Sequence, residues 1–296
     1  MRPARELSIL TGYSARQATE VEVAAKFVPN CRHYEINGTG AMDQLLDFSG
    51  KVALVTGGSR GLGRAMALAL AARGADIIVT SRKADACEEV AAEVTAMGRQ
   101  ALAYGCHVGH WDEIDGLVDA AYDRFGKVDI LINNAGMSPL YDKLSNVSEE
   151  LFDKVIGVNL KGPFRMMALV GERMAAGAGG TIINISSTAS LNPSPTSEPY
   201  GAAKSGLNAL TRSYAFAYGP KVRVNGIAAG PFLTDISKAW DMQAFEQRAK
   251  TTLHWVVVAN QKKLLALRCI WPATLRVLPQ ARSFALTAVR HRLDRL

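Results

Sequence analysis

From Lys51 onward, short apolar runs alternate with longer stretches in which apolar residues recur every three or four positions. The runs are VALVT at 52–56, IIVT at 77–80, DILIN at 129–133, TIINIS at 181–186 and VRVNGI at 222–227. Apolar blocks of this length predict buried strands, and the periodic stretches between them predict helices, one of them over 200–218. Strands alternating with helices imply parallel pairing through right-handed crossovers. The expected fold is therefore α/β: a single Rossmann-type doubly wound parallel sheet with helices on both faces. Its ligands belong at the carboxyl ends of the strands.

The turn after the first run reads TGGSRGLG over 56–63 and leads into the helical stretch AMALALAA at 65–72. Small residues here let the backbone approach a pyrophosphate, and the helix start presents N–H groups outside its own ladder. Gly57, Ser59, Arg60, Gly61, Leu62 and Gly63 are the candidate cradle. A dinucleotide site selecting NAD carries an acid about 20 residues on, at the end of the second strand. Here that place reads VTSRK, ending in Ser81, Arg82 and Lys83. A guanidinium there, with Arg60 opposite, suits a 2′-phosphate, so NADP(H) is expected over NAD(H).

A second candidate centre lies in NISSTASLNPSPTSEPYGAAK, residues 184–204. Tyr200 and Lys204 are four apart on one helix face, about 6 Å along the axis. A phenol is a poor acid or base at neutral pH unless a nearby ammonium pulls its pKa down, which is the role this spacing assigns to Lys204. Ser187, at the end of the preceding strand, can aim its hydroxyl at the same substrate oxygen.

Composition narrows the class. The chain has 296 residues, 48% of them apolar and 21% charged, as in a soluble globular protein. Its formal charge of +7 would point to nucleic acid or membrane if it were spread, but residues 42–250 are close to neutral. The last 46 residues hold eight basic side chains and one acid. Neither nucleic acid nor membrane is expected as a partner. The four cysteines are far apart with no C-x-x-C pair, so neither a disulfide framework nor a metal site is indicated. The five histidines read as structural or exposed, with no cluster among them. No secretory signal or apolar span is apparent, and a cytoplasmic location is expected.

Taken together, the motifs resemble the short-chain dehydrogenase/reductase family over residues 48 to about 252. TGGSRGLG matches its T-G-x-x-x-G-x-G, Asn133-Asn-Ala-Gly136 its N-N-A-G, Val158-Asn159-Leu160 its mid-helix asparagine, and Ser187 its serine thirteen residues before the tyrosine. The resemblance implies that Tyr200 exchanges the proton and that Lys204 binds the nicotinamide ribose. It further implies that Ser187 polarises the substrate oxygen and that Asn159 holds a water linking Lys204 to solvent. Asn133, Ala135 and Gly136 would line the adenosine side, with Pro231 and Thr234 near the carboxamide. The partner is a small carbonyl or alcohol, and a homo-oligomer is expected. SRK, CHVG and SPTSEPY look most like the NADPH-dependent carbonyl reductase branch, with 3-oxoacyl-carrier-protein reductases as the rival. A nonenzymatic dinucleotide-binding or inactive truncated product is the alternative from another class. His107 stands where the family often has an adenine-contacting acid, and Ala229-Gly230 where it has Pro-Gly.

Both ends depart from the family. Residues 1–41 read as an N-terminal extension that is not native, 42–253 as the Rossmann domain, and 254–296 as an aberrant basic tail. The family's P-E-E, L-A-S-D and D-G-G segments are missing, yet reading from the third base of suitable codons restores Y-L-A-S-D from Cys269–Thr274. The same shift turns Asn260–Lys263 into P-E-E, Val277–Ala281 into F-T-T-G and Phe284–Val289 into R-A-D-G-G. A frameshift near Leu253 is inferred. The tail is therefore expected to be irregular, the sixth strand to lose its outer neighbour, and stability and oligomer formation to suffer.

Overall fold

A computed structural model describes residues 47–192, 195–230 and 243, and the backbone of 283–286. Seven parallel strands form one sheet in the order β3-β2-β1-β4-β5-β6-β7. β1 (Val52–Thr56) and β4 (Ile130–Asn133) lie at the centre with every residue buried, which is why they read as continuous apolar runs. β2 (Asp76–Ser81) and β3 (Ala101–Gly105) follow on one side, β5 (Gly180–Ser187) and β6 (Val222–Ala229) on the other. β3 falls outside the five apolar runs, which mark β1, β2, β4, β5 and β6. It is an edge strand, half-exposed along its length, and two of its four apolar residues are alanines, so its apolar block is less marked than those of the inner strands.

Alternate residues of the central strands feed two cores. Val52 and Leu54 of β1 and Leu131 of β4 pack with Ile114 and Leu117 of α3 (Trp111–Phe125), Met166 and Val170 of α5 (Gly162–Ala176), and Leu207 of α6 (Glu198–Tyr218). Ala53, Val55, Ile130 and Ile132 face the other way, onto Met66 and Leu70 of α1 (Gly61–Ala71) and Val90 and Val94 of α2 (Ala84–Ala96). Period-two alternation thus gives a sheet covered on both faces.

Two local features place the site. α4 (Glu149–Ile156) starts at Ser148, whose side chain accepts the Leu151 N–H at 3.1 Å. It then runs through a π-helical turn, Gly157–Lys161, before Pro163 opens α5. The extra residue per turn rotates Asn159 into the interior, as π-bulges commonly do at functional positions.

The expected loss of a neighbour for β6 is corrected. Ser283–Leu286 form β7, parallel to β6, with Gly226 opposite Ser283 and Ala229 opposite Leu286. Pairing is made by backbone groups, so a short run of SFAL can fill an edge position whatever its origin. The rest of 254–296, like 1–41, Pro231 and Thr234, lies outside the described residues.

Candidate active site

The glycine turn is shaped so that side chains would destroy it. Gly57 has φ +62, and a Cβ there would lie 2.9 Å from Ala135 Cα. A Cβ on Gly63 would sit 2.2 Å from Gly57 O, and one on Gly58 2.7 Å from Val79 Cγ2. The turn is therefore bare backbone folded against itself. Gly61, Leu62 and Gly63 open α1 ahead of its first ladder bond, made by Arg64 N to Arg60 O at 3.2 Å. Leu62 packs onto the α1/α2 core, Ser59 is half-buried and Arg60 is exposed. The N–H groups free of the ladder at this helix start are a donor set that suits a pyrophosphate.

Thr56 ties β1 to the loop after β4. Its hydroxyl accepts the N–H groups of Asn134 (3.0 Å) and Ala135 (3.1 Å), and Asn134 Nδ2 donates to the carbonyls of Thr56 and Gly57 at 3.0 and 3.1 Å. Asn134, not singled out in the sequence, therefore holds the glycine turn. Asn133, expected on the adenosine side, is turned inward. Its Nδ2 donates to Asn184 Oδ1 at 2.8 Å inside the sheet, while its own Oδ1 is buried without a partner.

At the end of β2, Ser81 Oγ donates to Lys83 O at 3.1 Å and Arg82 is exposed. The expectation that no histidines cluster is corrected here. His107 stacks on His110 with ring centroids 4.3 Å apart, and Glu113 accepts from the His107 N–H at 2.7 Å and contacts His110 Nδ1 at 2.5 Å. Burial, then His110 and Arg82, hold the His107 imidazole below its ordinary pKa. The spacing H-x-x-H at a helix start was the available signal. Among the described residues, no group of three or more His, Cys, Asp or Glu is placed to hold a metal ion.

Ser187, Tyr200 and Lys204 converge at the carboxyl end of β5. Ser187 Oγ accepts the Ala189 N–H (3.1 Å), and the turn it caps is pinned to α6 by Ser205 Oγ to Ser190 O (3.0 Å) and Asn208 Nδ2 to Ser190 Oγ (2.8 Å). The Ser187 hydroxyl lies close enough to the Tyr200 phenol to oppose the effect of its burial. Lys204 is 3% exposed. Its Nζ donates to Ile185 O at 2.8 Å and lies 5.7 Å from the centroid of the Tyr200 ring.

The expected downward pull on the phenol is not the dominant effect. Burial pushes Tyr200 above its ordinary pKa, with the Ser187 hydrogen bond opposing. Burial also lowers Lys204 from 10.5 to about 8. The ammonium addresses a carbonyl and the ring face, which leaves desolvation of the phenol as the larger effect.

Asn159 closes the back of the site. Its Nδ2 donates to Met137 O (2.8 Å) and Val155 O (2.9 Å), and its Oδ1 accepts from Met137 N (3.3 Å). A Cβ on Gly136 would lie 3.0 Å from this oxygen and 3.7 Å from Lys204 Nζ, so both groups border one small space. With both amide protons engaged, Asn159 fixes the loop after β4.

A family model described as short chain dehydrogenase matches residues 51–244. Human dehydrogenase/reductase SDR family member 4 is 36% identical over 205 residues, covering 69% of this chain and 74% of that protein. The 7alpha-hydroxysteroid dehydrogenase of Escherichia coli K12 is 35% identical over 204 residues, 69% of this chain and 79% of that one. Among solved structures, a 7α-hydroxysteroid dehydrogenase complexed with NADH and 7-oxo glycochenodeoxycholic acid superposes with a TM-score of 0.73. It is 32% identical, with 81% of this chain and 94% of that one covered. The 3-ketoacyl-(acyl-carrier-protein) reductase of Brucella melitensis with NADH gives 0.71 at 27% identity, covering 82% and 98%. The chain belongs to the short-chain dehydrogenase/reductase family, oxidoreductases of CH–OH groups that use NAD(H) or NADP(H).

Proposed function

We propose that this chain is a carbonyl reductase and alcohol dehydrogenase that uses NADP(H), with Ser187, Tyr200 and Lys204 carrying the proton chemistry. The observation that carries this reading is the meeting of those three side chains beside Gly136 and Asn159. When bound, the dinucleotide supplies or receives hydride at its nicotinamide ring. Ser187 and Tyr200 donate hydrogen bonds to the substrate oxygen as it gains negative charge, and Tyr200 passes it a proton. Lys204 holds the nicotinamide ribose and keeps a positive charge near the phenol.

NADP(H) is favoured over NAD(H) because the end of β2 presents Arg82 and no carboxylate. Oxidation of NADPH and of NADH with a panel of ketones, including a steroid ketone and a 3-oxoacyl thioester, tests the reading. NADPH is the better donor, and Arg82→Ala raises the KM for NADPH about tenfold while the KM for NADH changes less than twofold. Equal effects on both cofactors would remove the argument for a 2′-phosphate contact. No turnover with intact cofactor binding would favour a nonenzymatic product. Among the described residues no helix is long and apolar enough to cross a membrane. The proposed location is the cytoplasm and the proposed assembly a homo-oligomer.

The tail from residue 254 is proposed to be read in a shifted frame, with residues 1–41 a non-native extension of the 42–253 domain. The coding DNA across codons 245–296 decides the first point. Its other frame is expected to encode P-E-E, L-A-S-D and D-G-G in that order, and their absence would end the idea.

A further inference from the structure

Tyr141 stands in the loop after β4, 57 residues from Glu198, the first residue of α6. The two are joined reciprocally: the Tyr141 hydroxyl donates to Glu198 Oε2, and the Tyr141 hydroxyl oxygen accepts the Glu198 N–H at 2.9 Å. That N–H belongs to the first helical turn, whose donors have no ladder partner, so a distant side chain is completing the helix start. Glu198 Oε1 also accepts from Thr196 N at 3.3 Å, and Thr196 has φ +68, a conformation that L residues rarely adopt. One carboxylate thus gathers the loop after β4, the loop after β5 and the helix that carries Tyr200.

Packing is incomplete on one side of this turn. Glu198, Pro199 and Ala202 border an apolar cleft of about 480 Å³ shared with Leu144, Val147 and Phe152. One side of the turn therefore faces open space, while two residues further on stands Tyr200, whose hydroxyl must meet the substrate oxygen in the proposed reaction. A displacement of about 1 Å at a reacting group can cost about a hundredfold in rate.

We infer that Tyr141 and Glu198 are positioning residues, a clamp between the loop after β4 and the first turn of α6 that sets the Tyr200 phenol against Ser187 and the substrate oxygen. The inference rests on the catalytic reading of Tyr200. The clamp also couples the two halves of the site, since Tyr141 continues the loop that Asn134 and Asn159 fasten beside the glycine turn. It predicts that losing either partner disturbs catalysis more than binding.

The test uses the full chain with Tyr141→Phe, Glu198→Ala, both together, Glu198→Gln and Tyr200→Phe. Tyr141→Phe and Glu198→Ala are each expected to lower kcat about tenfold with the KM for NADPH within about twofold. The double variant should be no worse than either single one, because the two residues act as one device. Glu198→Gln keeps an acceptor for the Tyr141 hydroxyl and is expected to recover most of the loss. Amide hydrogen exchange provides a readout independent of turnover: in Tyr141→Phe the amides of Glu198, Tyr200 and Gly201 exchange at least about fivefold faster, with the melting temperature little changed. Unchanged exchange, additive losses, or a parallel fall in stability and rate would overturn the clamp. Turnover persisting in Tyr200→Phe would instead overturn the catalytic reading beneath it.

Discussion

Tyr200→Phe is expected to lower kcat for ketone reduction about a thousandfold, within the range for loss of a positioned general acid. The KM for NADPH should stay within a few-fold, because the phenol meets the substrate oxygen rather than the dinucleotide's phosphates. The ring remains, so packing around α6 is preserved and circular dichroism should be unchanged. What is lost is the proton that Tyr200 is proposed to pass to the substrate oxygen. A pH dependence accompanies this. Burial raises the phenol's pKa, so the protonated form, which reduction needs, is present at neutral pH. Oxidation of the alcohol needs the deprotonated form and should accelerate as pH rises. Steady-state rates in both directions, for the wild-type chain and the variant, check this. Reduction that survives the substitution, or oxidation fastest at acid pH, contradicts the assignment.

The site was legible where its chemistry is local in sequence. The glycine turn, Ser187, and the Tyr200 and Lys204 pair each follow from a strand end or a helix period, and they lie where that logic puts them. What escaped is held by contacts between distant segments. Asn134 reaches Gly57 across 77 positions and Tyr141 reaches Glu198 across 57, and neither pairing leaves a periodic trace. Asn133 lies in a motif whose sequence does not say which way its side chain turns. The sheet's alternation, not the motif, sends it to Asn184. β3 escaped because its apolar run, ALAY, is half alanine and lies half-exposed at the sheet edge. The direction of the Tyr200 shift was misjudged for a related reason: four residues along a helix bring an ammonium near a ring, but only the fold decides whether it reaches the hydroxyl or a carbonyl. The tail gave the converse lesson. Its residues broke every family motif beyond Leu253, yet four of them pair with β6, since a parallel ladder asks little of side-chain identity.

Lys204→Met should separate function from stability most clearly. Turnover is expected to fall about a thousandfold, since the charge beside the phenol and the proposed ribose contact are lost together. The folded chain, however, should become more stable at pH 7. Burial without an acidic partner lowers Lys204 from 10.5 to about 8, which corresponds to about 3 kcal/mol disfavouring the charged native form. Its hydrogen bond to Ile185 O returns about 1 kcal/mol, so the variant gains about 2 kcal/mol net. The pH dependence follows from proton linkage. Below pH 8 folded and unfolded chains both hold the proton, and the cost is fully present. Between about 8 and 10.5 the unfolded chain keeps a proton that the native one has lost, so wild-type stability gains on the variant as pH rises. The Tyr200 phenol titrates in both proteins and largely cancels in the difference. Urea unfolding of the two chains at pH 7 and pH 10 measures this directly, with the gap expected to be largest at pH 7. A variant less stable than wild type at pH 7 would mean that the ammonium is held by more than one carbonyl. A gap that widens toward pH 10 would mean that burial does not disfavour its charge.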